Sequence, residues 1–346
     1  MKILQIITRS ELGGAQTVVA HISNYLSLEH EVVVAAGEGD GKMWDLFVPE
    51  VIKESCPYLQ RSISFRNDIL TLHQLRKLYR KYKPDVIHLH SSKAGALGRI
   101  AFPTSKIVYT VHGFDSVRLA FRKFLLVERI LQHCCRSIVS VSRYDMNNLV
   151  KERIHKNISV IPNGIALPKN KEIKDVISLS SEKKVVLTIA RTDSPKRPDI
   201  FIEIARAMPE YEFVWIGNLK DQYRRDMPDN CHFVGNLTGA GGYCSSVDLF
   251  VLISDYEGLP MSIIEAMSCS KPIVASNVGG VAELVINQQN GFVVPNEVNA
   301  FVAKIRYILS SASVTDSMGQ ASYSLFSREF TIEKMVQGYL NVYRNK

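Results

Sequence analysis

Short apolar runs alternate with amphipathic stretches along the first half of the chain. The strand-like runs are residues 2–8, 31–37, 85–90, 106–111 and 137–142, and apolar residues recur at helical spacing over 15–28, 68–82, 93–101, 117–135 and 143–154. Strands that alternate with helices predict βαβ units and a parallel, doubly wound sheet.

The second half repeats this alternation after a polar stretch. Its strand-like runs are residues 185–190, 212–217, 231–234, 248–253, 272–276 and 291–294. The stretch before them, 166–184, is rich in Lys, Asp and Ser and is typical of an interdomain linker. We therefore predict an α/β protein of two Rossmann-like domains, 1–165 and 166–330, that face each other across a cleft. A terminal helix at about 331–346 is expected to pack back on the first domain.

The composition fits this picture. A chain of 346 residues is long enough for two domains, and 46% hydrophobic and 22% charged residues are typical of a soluble globular protein. The sequence shows no signal peptide and no membrane span, and its six cysteines lack paired metal spacing. We expect a cytoplasmic protein with reduced thiols.

The positive charge is confined to the first half. Residues 1–165 contain 23 Lys and Arg against 14 Asp and Glu, a net charge of +9, so the remaining residues contribute −1 to the total of +8. A one-sided basic domain indicates an anionic surface as partner, either nucleic acid or an anionic membrane leaflet. No nucleic-acid recognition motif accompanies the charge, so we favour the membrane.

Two basic segments carry much of this charge. Segment 118–136 mixes Arg and Lys with dense Leu and Val, and segment 73–83 adds further cations. The first of these could be an interfacial helix on anionic lipid or an ordinary helix that covers the sheet, and the pattern leaves both open.

Residues 257–265 carry the most specific chemistry. They read Glu-Gly-Leu-Pro-Met-Ser-Ile-Ile-Glu and follow a strand-like run. Gly258 and Pro260 predict a turn into a helix that begins near Met261, whose N–H groups would face an anion. Glu257 and Glu265 suit hydroxyl donors such as a sugar or a ribose diol. A solvated loop glutamate and an exposed helix glutamate are the simpler explanation, which this stretch alone does not exclude.

Other candidate residues also follow predicted strands. Gly13 and Gly14 precede the first helix and would let a backbone approach a ligand, although they do not form a dinucleotide motif. His88 and His90 lack a third partner at zinc-ligand spacing and are interpreted as core or sheet-end histidines. His112 could bind a sugar hydroxyl or transfer a proton, or be structural.

Arg191 and Lys196 follow the first strand of the second half. Cations at that place would suit a departing diphosphate, although an isolated pair of this kind is more often an ordinary basic loop.

Taken together, these motifs resemble the retaining glycosyltransferases of family 4, which have the GT-B fold, and most closely those that build bacterial capsule and O-antigen polysaccharides. The resemblance covers nearly the whole chain. It rests on Gly13-Gly14, His112-Gly113, Ile161-Pro162-Asn163-Gly164, Arg191 with Lys196, residues 257–265, and Gly279-Gly280-Val281-Ala282-Glu283. The chain departs from the family pattern at Ala190 and Ser270, where the family often has glycine.

The resemblance implies a set of roles. The donor is a UDP-sugar, the acceptor is a polyprenyl-diphosphate-linked saccharide, and the enzyme acts at the inner face of the membrane. Arg191 and Lys196 would hold the diphosphate, Glu257 the transferred sugar, and Glu265 the ribose. Gly13 and Gly14 would let a backbone approach the phosphates, and His112 would line the sugar and acceptor side. The remaining implied positions are Asn236 and Leu237 near the base, and Gly258, Leu259, Pro260 and Met261 in the turn. No Asp-x-Asp triplet is present, and no metal or other cofactor is expected.

Three alternatives remain at this point. A glycoside hydrolase could use Glu257 and Glu265 as its acid and base, but it would have no diphosphate for Arg191 and Lys196 to hold. A UDP-sugar epimerase of the same architecture would need no acceptor. A non-catalytic binding protein would bind UDP without turnover.

Overall fold

The chain divides into two compact units. The computed structural model describes residues 1–218, 223 and 227–344. Unit 1 consists of Met1–Gly164 with Ile332–Lys346, and unit 2 consists of Ile165–Thr331.

Unit 1 contains a parallel seven-stranded sheet in the order β3-β2-β1-β4-β5-β6-β7. Its strands are β1 (Lys2–Ile7), β2 (Glu31–Ala36), β3 (Ile52–Ser55), β4 (Val86–His90), β5 (Ile107–Val111), β6 (Ser137–Ser140) and β7 (Ile158–Val160). The helices between them are α1 (Gly14–Leu26), α2 (Phe65–Tyr82), α3 (Ser92–Ala101), α4 (Leu125–Leu131) and α5 (Arg143–Lys151).

Unit 2 contains a parallel six-stranded sheet in the order β10-β9-β8-β11-β12-β13. Its strands are β8 (Val185–Ile189), β9 (Glu212–Ile216), β10 (Cys231–Phe233), β11 (Leu249–Leu252), β12 (Ile273–Ser276) and β13 (Gly291–Val294). Its helices are α6 (Pro198–Ala207), α7 (Met261–Ser268), α8 (Val281–Leu284), α9 (Val298–Leu309) and α10 (Ala312–Glu329), and α11 (Ile332–Arg344) then returns to unit 1.

Both sheets confirm the predicted fold class of two Rossmann-like, doubly wound units. The central strands are buried on both faces and therefore read as nearly continuous apolar runs. The sequence did not indicate β3 and β7, which lie at the two edges of the first sheet. Their side chains are largely exposed or half-buried, so the apolar signal of a central strand is missing.

The single helix predicted over 117–135 is wrong. The segment forms a π-helical turn at Ser116–Ala120 and leaves helical geometry at Phe121 (φ −131°, ψ 47°). It then makes a 3₁₀ turn at Arg122–Phe124, which leads into α4 at Leu125. Its apolar residues do not form one stripe. The buried ones are Val117, Leu125 and Leu131, whereas Leu119, Phe121, Leu126 and Ile130 are exposed.

The polar stretch 166–184 is not a free linker. Ile173 is buried in unit 2, and its N–H donates to Ser246 Oγ at 2.9 Å. The N–H of Lys171 donates to the carbonyl of Gly242 at 3.1 Å. A single apolar anchor and backbone hydrogen bonds hold a segment whose composition is otherwise that of a linker.

Helix α11 packs on unit 1 through its aromatic face. Tyr339 and Tyr343 are buried, and the Tyr343 hydroxyl lies 2.6 Å from His88 Nδ1. The Arg136 guanidinium donates to the carbonyls of Val342 and Tyr343 at the end of the helix. Among the described residues, no helix combines the length and the apolar character needed to cross a bilayer.

Candidate active site

The candidate site lies in unit 2, where the strand order reverses. The chain runs outward from β8 to β9 and β10, and then returns to the other side of β8 as β11. The loops after β8 and β11 therefore leave the same edge of the sheet side by side, at the position where open α/β sheets bind ligands.

These two loops are joined directly. The N–H of Arg197 donates to the carbonyl of Ile253 at 3.1 Å, and the N–H of Asp255 donates to the carbonyl of Pro195 at 2.9 Å. The side chain of Lys196 forms an ion pair with Glu257, and Ser254 Oγ donates to the same carboxylate at 2.6 Å. The fold thus brings together two of the residues that the sequence proposed for the donor site.

A third loop supports Glu257 from behind. Gly279, at φ +57°, lies after β12, and a Cβ at this position would fall 1.8 Å from the carbonyl oxygen of Glu257. The N–H of Gly280 donates to the carbonyl of Gly258 at 2.9 Å. Only glycine fits at position 279, which explains the first glycine of the Gly279-Gly280 pair that the sequence noted without a role.

Helix α7 begins where the sequence predicted. Pro260 is its N-cap residue, Met261 is its first residue, and no side chain caps the helix. Gly258 precedes this start, and Leu259 is buried beneath it. Within the described part of the chain, the first N–H groups of α7 therefore have no capping side chain as acceptor and favour an anion.

Glu265 lies one turn into α7 in an environment that disfavours its charge. Burial raises the pKa of its carboxyl from the usual value to about 7. Among the described residues we find no side chain or backbone donor within hydrogen-bonding distance of it. The carboxylate also packs against Gly241, where a Cβ would fall 2.8 Å from Glu265 Cδ. A ligand hydroxyl that donates to this carboxylate would relieve the cost of its ionisation.

We expect Glu265→Gln to stabilise the ligand-free protein at pH 8 by about 1–3 kcal/mol. The folded pKa of about 7 lies above the usual 4.5, so the ionised carboxylate is a cost that appears as the pH rises from 4.5 through 7. Urea unfolding at pH 5 and pH 8 measures this, and the difference between variant and wild type should shrink towards pH 5. Exposed Glu172→Gln is the control. A gain of equal size at both pH values would contradict the interpretation.

The other predicted donor residues lie at the same edge of the sheet. Arg191 is exposed and follows β8 by two residues, and the carbonyl of Ala190 before it accepts the indole N–H of Trp215 at 2.7 Å. Asn236 and Leu237 follow β10 after Gly235, whose φ is +78°. Asn236 is exposed and Leu237 is half-buried. Ser270, where the family often has glycine, keeps the left-handed turn with a φ of +57°.

The remaining predicted residues belong to unit 1. Gly13 and Gly14 lie after β1 at the start of α1, and the carbonyl of Gly13 accepts the N–H of Thr17 at 2.9 Å. His112 follows β5, and both of its ring nitrogens are turned inward. Its Nε2 lies 2.8 Å from His90 Nδ1, and burial lowers its pKa to about 4. His88 and His90 are fully buried, as the sequence predicted.

Sequence reasoning missed the residues that hold the site in place. Ser254 bonds to Glu257, and the amide of Asn296 donates to the carbonyl of Ser254 at 2.9 Å. Ser276 Oγ accepts the N–H of Ser254 at 2.9 Å. These residues come from three separate strand ends, and no spacing in the sequence marks them.

Comparison with known proteins identifies the family. The model "Glycosyltransferase Family 4" matches residues 12–168, and the model "Glycosyl transferases group 1" matches residues 169–325. The O-antigen biosynthesis glycosyltransferase WbnH of Escherichia coli is 30% identical, with 84% of this chain and 85% of that protein covered. This chain belongs to glycosyltransferase family 4.

A further relative matches the chain almost end to end. It is the UDP-Gal:alpha-D-GlcNAc-diphosphoundecaprenol alpha-1,3-galactosyltransferase of E. coli, 29% identical over 99% of this chain and 96% of that protein. Among solved structures, sucrose-phosphate synthase from Thermosynechococcus elongatus has a TM-score of 0.86 at 20% identity. The match covers 99% of this glycosyltransferase and 98% of the synthase chain. The Anabaena protein Alr3699/HepE, in complex with UDP and glucose, has a TM-score of 0.83 at 20% identity, with 99% of both chains covered.

These matches confirm the predicted enzyme class and the GT-B fold. The relatives are transferases, and neither the hydrolase nor the epimerase alternative is favoured. The individual roles assigned to site residues from the sequence stay predictions.

Proposed function

We propose that this glycosyltransferase moves a hexosyl or N-acetylhexosaminyl group from a UDP-sugar to a polyprenyl-diphosphate-linked saccharide, with retention at the anomeric carbon, in capsule, exopolysaccharide or O-antigen synthesis. One observation supports the proposed class of acceptor. The E. coli relative that matches 99% of this chain is named for transfer to a sugar on diphosphoundecaprenol.

The geometry of unit 2 supports the donor class. A sugar nucleotide has a diphosphate, a ribose diol and a sugar, and the site offers a group for each. Lys196 and Arg191 supply cations, the uncapped start of α7 supplies N–H groups, and the two glutamates supply acceptors. The ion pair also places Lys196 beside Glu257, so the diphosphate and the transferred sugar would be held by adjacent groups.

We propose that the reaction needs no metal ion. The leaving diphosphate gains negative charge as the glycosidic bond breaks, and fixed cations together with a helix N-terminus can stabilise that charge. Activity that survives EDTA without loss supports this, and strict dependence on an added divalent cation contradicts it.

A panel of UDP-sugars, with a few GDP- and dTDP-sugars, tested against polyprenyl-diphosphate-linked acceptors examines the proposed function. The expected result is UDP release that depends on the acceptor and yields a glycosylated lipid. Cleavage of a glycoside without any release of UDP from the UDP-sugars would indicate a hydrolase, and a changed sugar on intact UDP would indicate an epimerase. If no pair of donor and acceptor gave turnover, the non-catalytic binding protein would be the remaining alternative.

Substitution of the two glutamates is expected to impair different steps. Glu265→Ala should weaken UDP binding itself, because the ribose loses its acceptor, whereas Glu257→Ala should mainly slow transfer. Loss of one hydrogen bond to a charged group costs about 1.5–3 kcal/mol, or roughly tenfold to a hundredfold in Kd. Calorimetry with UDP and steady-state kinetics measure the two effects. Equal losses of UDP affinity in both variants would refute this division of roles.

We propose that unit 1 binds the anionic inner face of the cell membrane through an apolar–basic patch. The patch consists of exposed Leu119, Phe121, Arg122, Lys123, Leu126 and Ile130. Leu126 and Ile130 are 64% and 60% exposed on α4. Apolar side chains in this number beside cations suit the interface of an anionic bilayer. Such binding would bring the enzyme to a lipid-linked acceptor.

We expect Leu126→Asp with Ile130→Asp to abolish binding to anionic liposomes. Burying one Leu or Ile in the bilayer is worth about 1.5–3 kcal/mol, so the double change should weaken association by roughly 100-fold or more. Co-sedimentation with anionic and neutral vesicles measures it, and added salt should weaken the wild type. Leu167→Asp is the matched control, because Leu167 is 62% exposed on unit 2. Equal binding by both variants would exclude the patch.

A further inference from the structure

A row of polar side chains crosses the interior of the first sheet. Gln5 on β1, His88 and His90 on β4, and Thr110 on β5 are all fully buried. Such positions in a parallel sheet normally hold apolar residues, and a buried polar group is costly unless it is hydrogen-bonded. The row ends at His112, directly after β5.

The row contains a continuous chain of hydrogen bonds that ends at His112. His90 Nε2 lies 2.8 Å from Gln5 Oε1, and His90 Nδ1 lies 2.8 Å from His112 Nε2. The centroids of the His90 and His112 rings are 5.1 Å apart and their planes differ by 23°. The two rings therefore lie side by side and meet edge to edge through this hydrogen bond.

The direction of each hydrogen bond depends on the orientation of the Gln5 amide. In this structure its carbonyl oxygen faces His90 and its nitrogen is buried with no partner among the described residues. A carbonyl oxygen can only accept, so in this orientation His90 Nε2 carries a proton. Burial lowers the pKa of His90 well below its usual value, so the ring is neutral and its Nδ1 is an acceptor. The donor to that acceptor is His112 Nε2–H. Since His112 is also neutral, its Nδ1 holds a lone pair, and this atom is buried with no partner among the described residues.

We propose that Gln5 and His90 are positioning residues that fix His112 as the neutral tautomer protonated on Nε2, with Nδ1 as a hydrogen-bond acceptor. His112 then cannot act as a cation toward the diphosphate. The lone pair on Nδ1, which is buried in the free protein, can accept a hydrogen bond or a proton from a substrate hydroxyl.

The consequence for catalysis rests on the proposed function, whereas the tautomer can be measured without any substrate. Long-range ¹⁵N–¹H correlation spectra of ¹⁵N-histidine-labelled protein distinguish a protonated from an unprotonated ring nitrogen. The His112 signals are identified by their loss in His112→Asn. We expect a protonated Nε2 and an unprotonated Nδ1 in the free protein.

Two variants test the positioning. Gln5→Leu removes the acceptor that orients His90, and His90→Phe removes the partner of His112 while it keeps an aromatic ring. Each should convert the single His112 tautomer to a mixture and lower kcat by about tenfold, the value of one hydrogen bond in the transition state, with little change in the donor KM.

Tyr343→Phe is the matched control. Tyr343 bonds to His88 in the same buried layer but lies outside the chain from Gln5 to His112. This variant should leave both the His112 tautomer and kcat unchanged.

A wild-type His112 that is protonated on Nδ1, or on both nitrogens, would overturn the proposal, and this measurement does not need either variant to fold. A correct tautomer with unchanged kcat in both variants would overturn the positioning role. An inactive wild type would refute the proposed function alone.

Discussion

Lys196→Ala and Arg191→Ala are each expected to lower kcat by about 10²–10³, the usual effect of removing one preorganised group that stabilises transition-state charge. The charge in question is that of the departing diphosphate. Lys196 also neutralises Glu257, so its removal leaves that carboxylate with Ser254 as its remaining side-chain partner in the described network. Steady-state kinetics with the best donor and acceptor pair measure both losses.

Arg197→Ala is the matched control for these two substitutions. Arg197 belongs to the same loop, but its guanidinium forms ion pairs with Asp199 and Asp255 at 2.6 Å and 3.2 Å. Its loss should change kcat only a few-fold. The double variant Lys196→Ala with Glu257→Ala should lose less than the product of the single losses, because contacting residues act together. Near-normal kcat in Lys196→Ala would refute the assigned role.

The fold was predictable because its strongest signals are local. Buried parallel strands read as apolar runs, and the helices between them show their own period, so the order of elements follows from the sequence. The edge strands β3 and β7 lack that signal because they are only partly buried. The helix predicted over residues 117–135 was wrong because this segment has too much apolar signal. Its dense apolar residues include both buried and exposed ones, and periodicity alone cannot separate the two.

The site was predictable in part. The types and spacing of Lys196, Glu257 and Glu265 indicated diphosphate and hydroxyl chemistry, and the family resemblance assigned their roles. The contact between Lys196 and Glu257 depends on the adjacency of β8 and β11. The 59 residues 190–248 separate these two strands in the sequence. Such long-range contacts leave no local pattern, and the same holds for Ser254 and Gly279.

Buried charge was the least predictable feature. Arg and Glu on a helix usually face solvent, so the sequence does not indicate that Arg99 and Glu128 are buried. In the structure the Arg99 guanidinium donates to Glu128 at 2.7 Å and to the carbonyl of Gly95 at 2.9 Å, and it lies 4.3 Å from the centre of the Tyr109 ring. The pair ties α4, which carries Leu126 and Ile130 of the apolar–basic patch, to α3 and β5.

We expect Arg99→Met to destabilise unit 1 by about 3–5 kcal/mol, because it leaves the Glu128 carboxylate buried without its partner. Glu128→Gln should cost a similar amount by leaving the guanidinium unpaired. Arg99→Met combined with Glu128→Leu should recover most of the loss, since replacing both charges removes the desolvation cost along with the attraction. Urea unfolding followed by circular dichroism measures the three variants.

The chain has two tryptophans, one in each unit, so in a Trp44→Phe background the fluorescence of Trp215 reports on unit 2. That transition should not shift in any of the variants. A double variant as unstable as Arg99→Met would mean that packing of the long side chain against Tyr109, and not the ion pair, holds α4 in place.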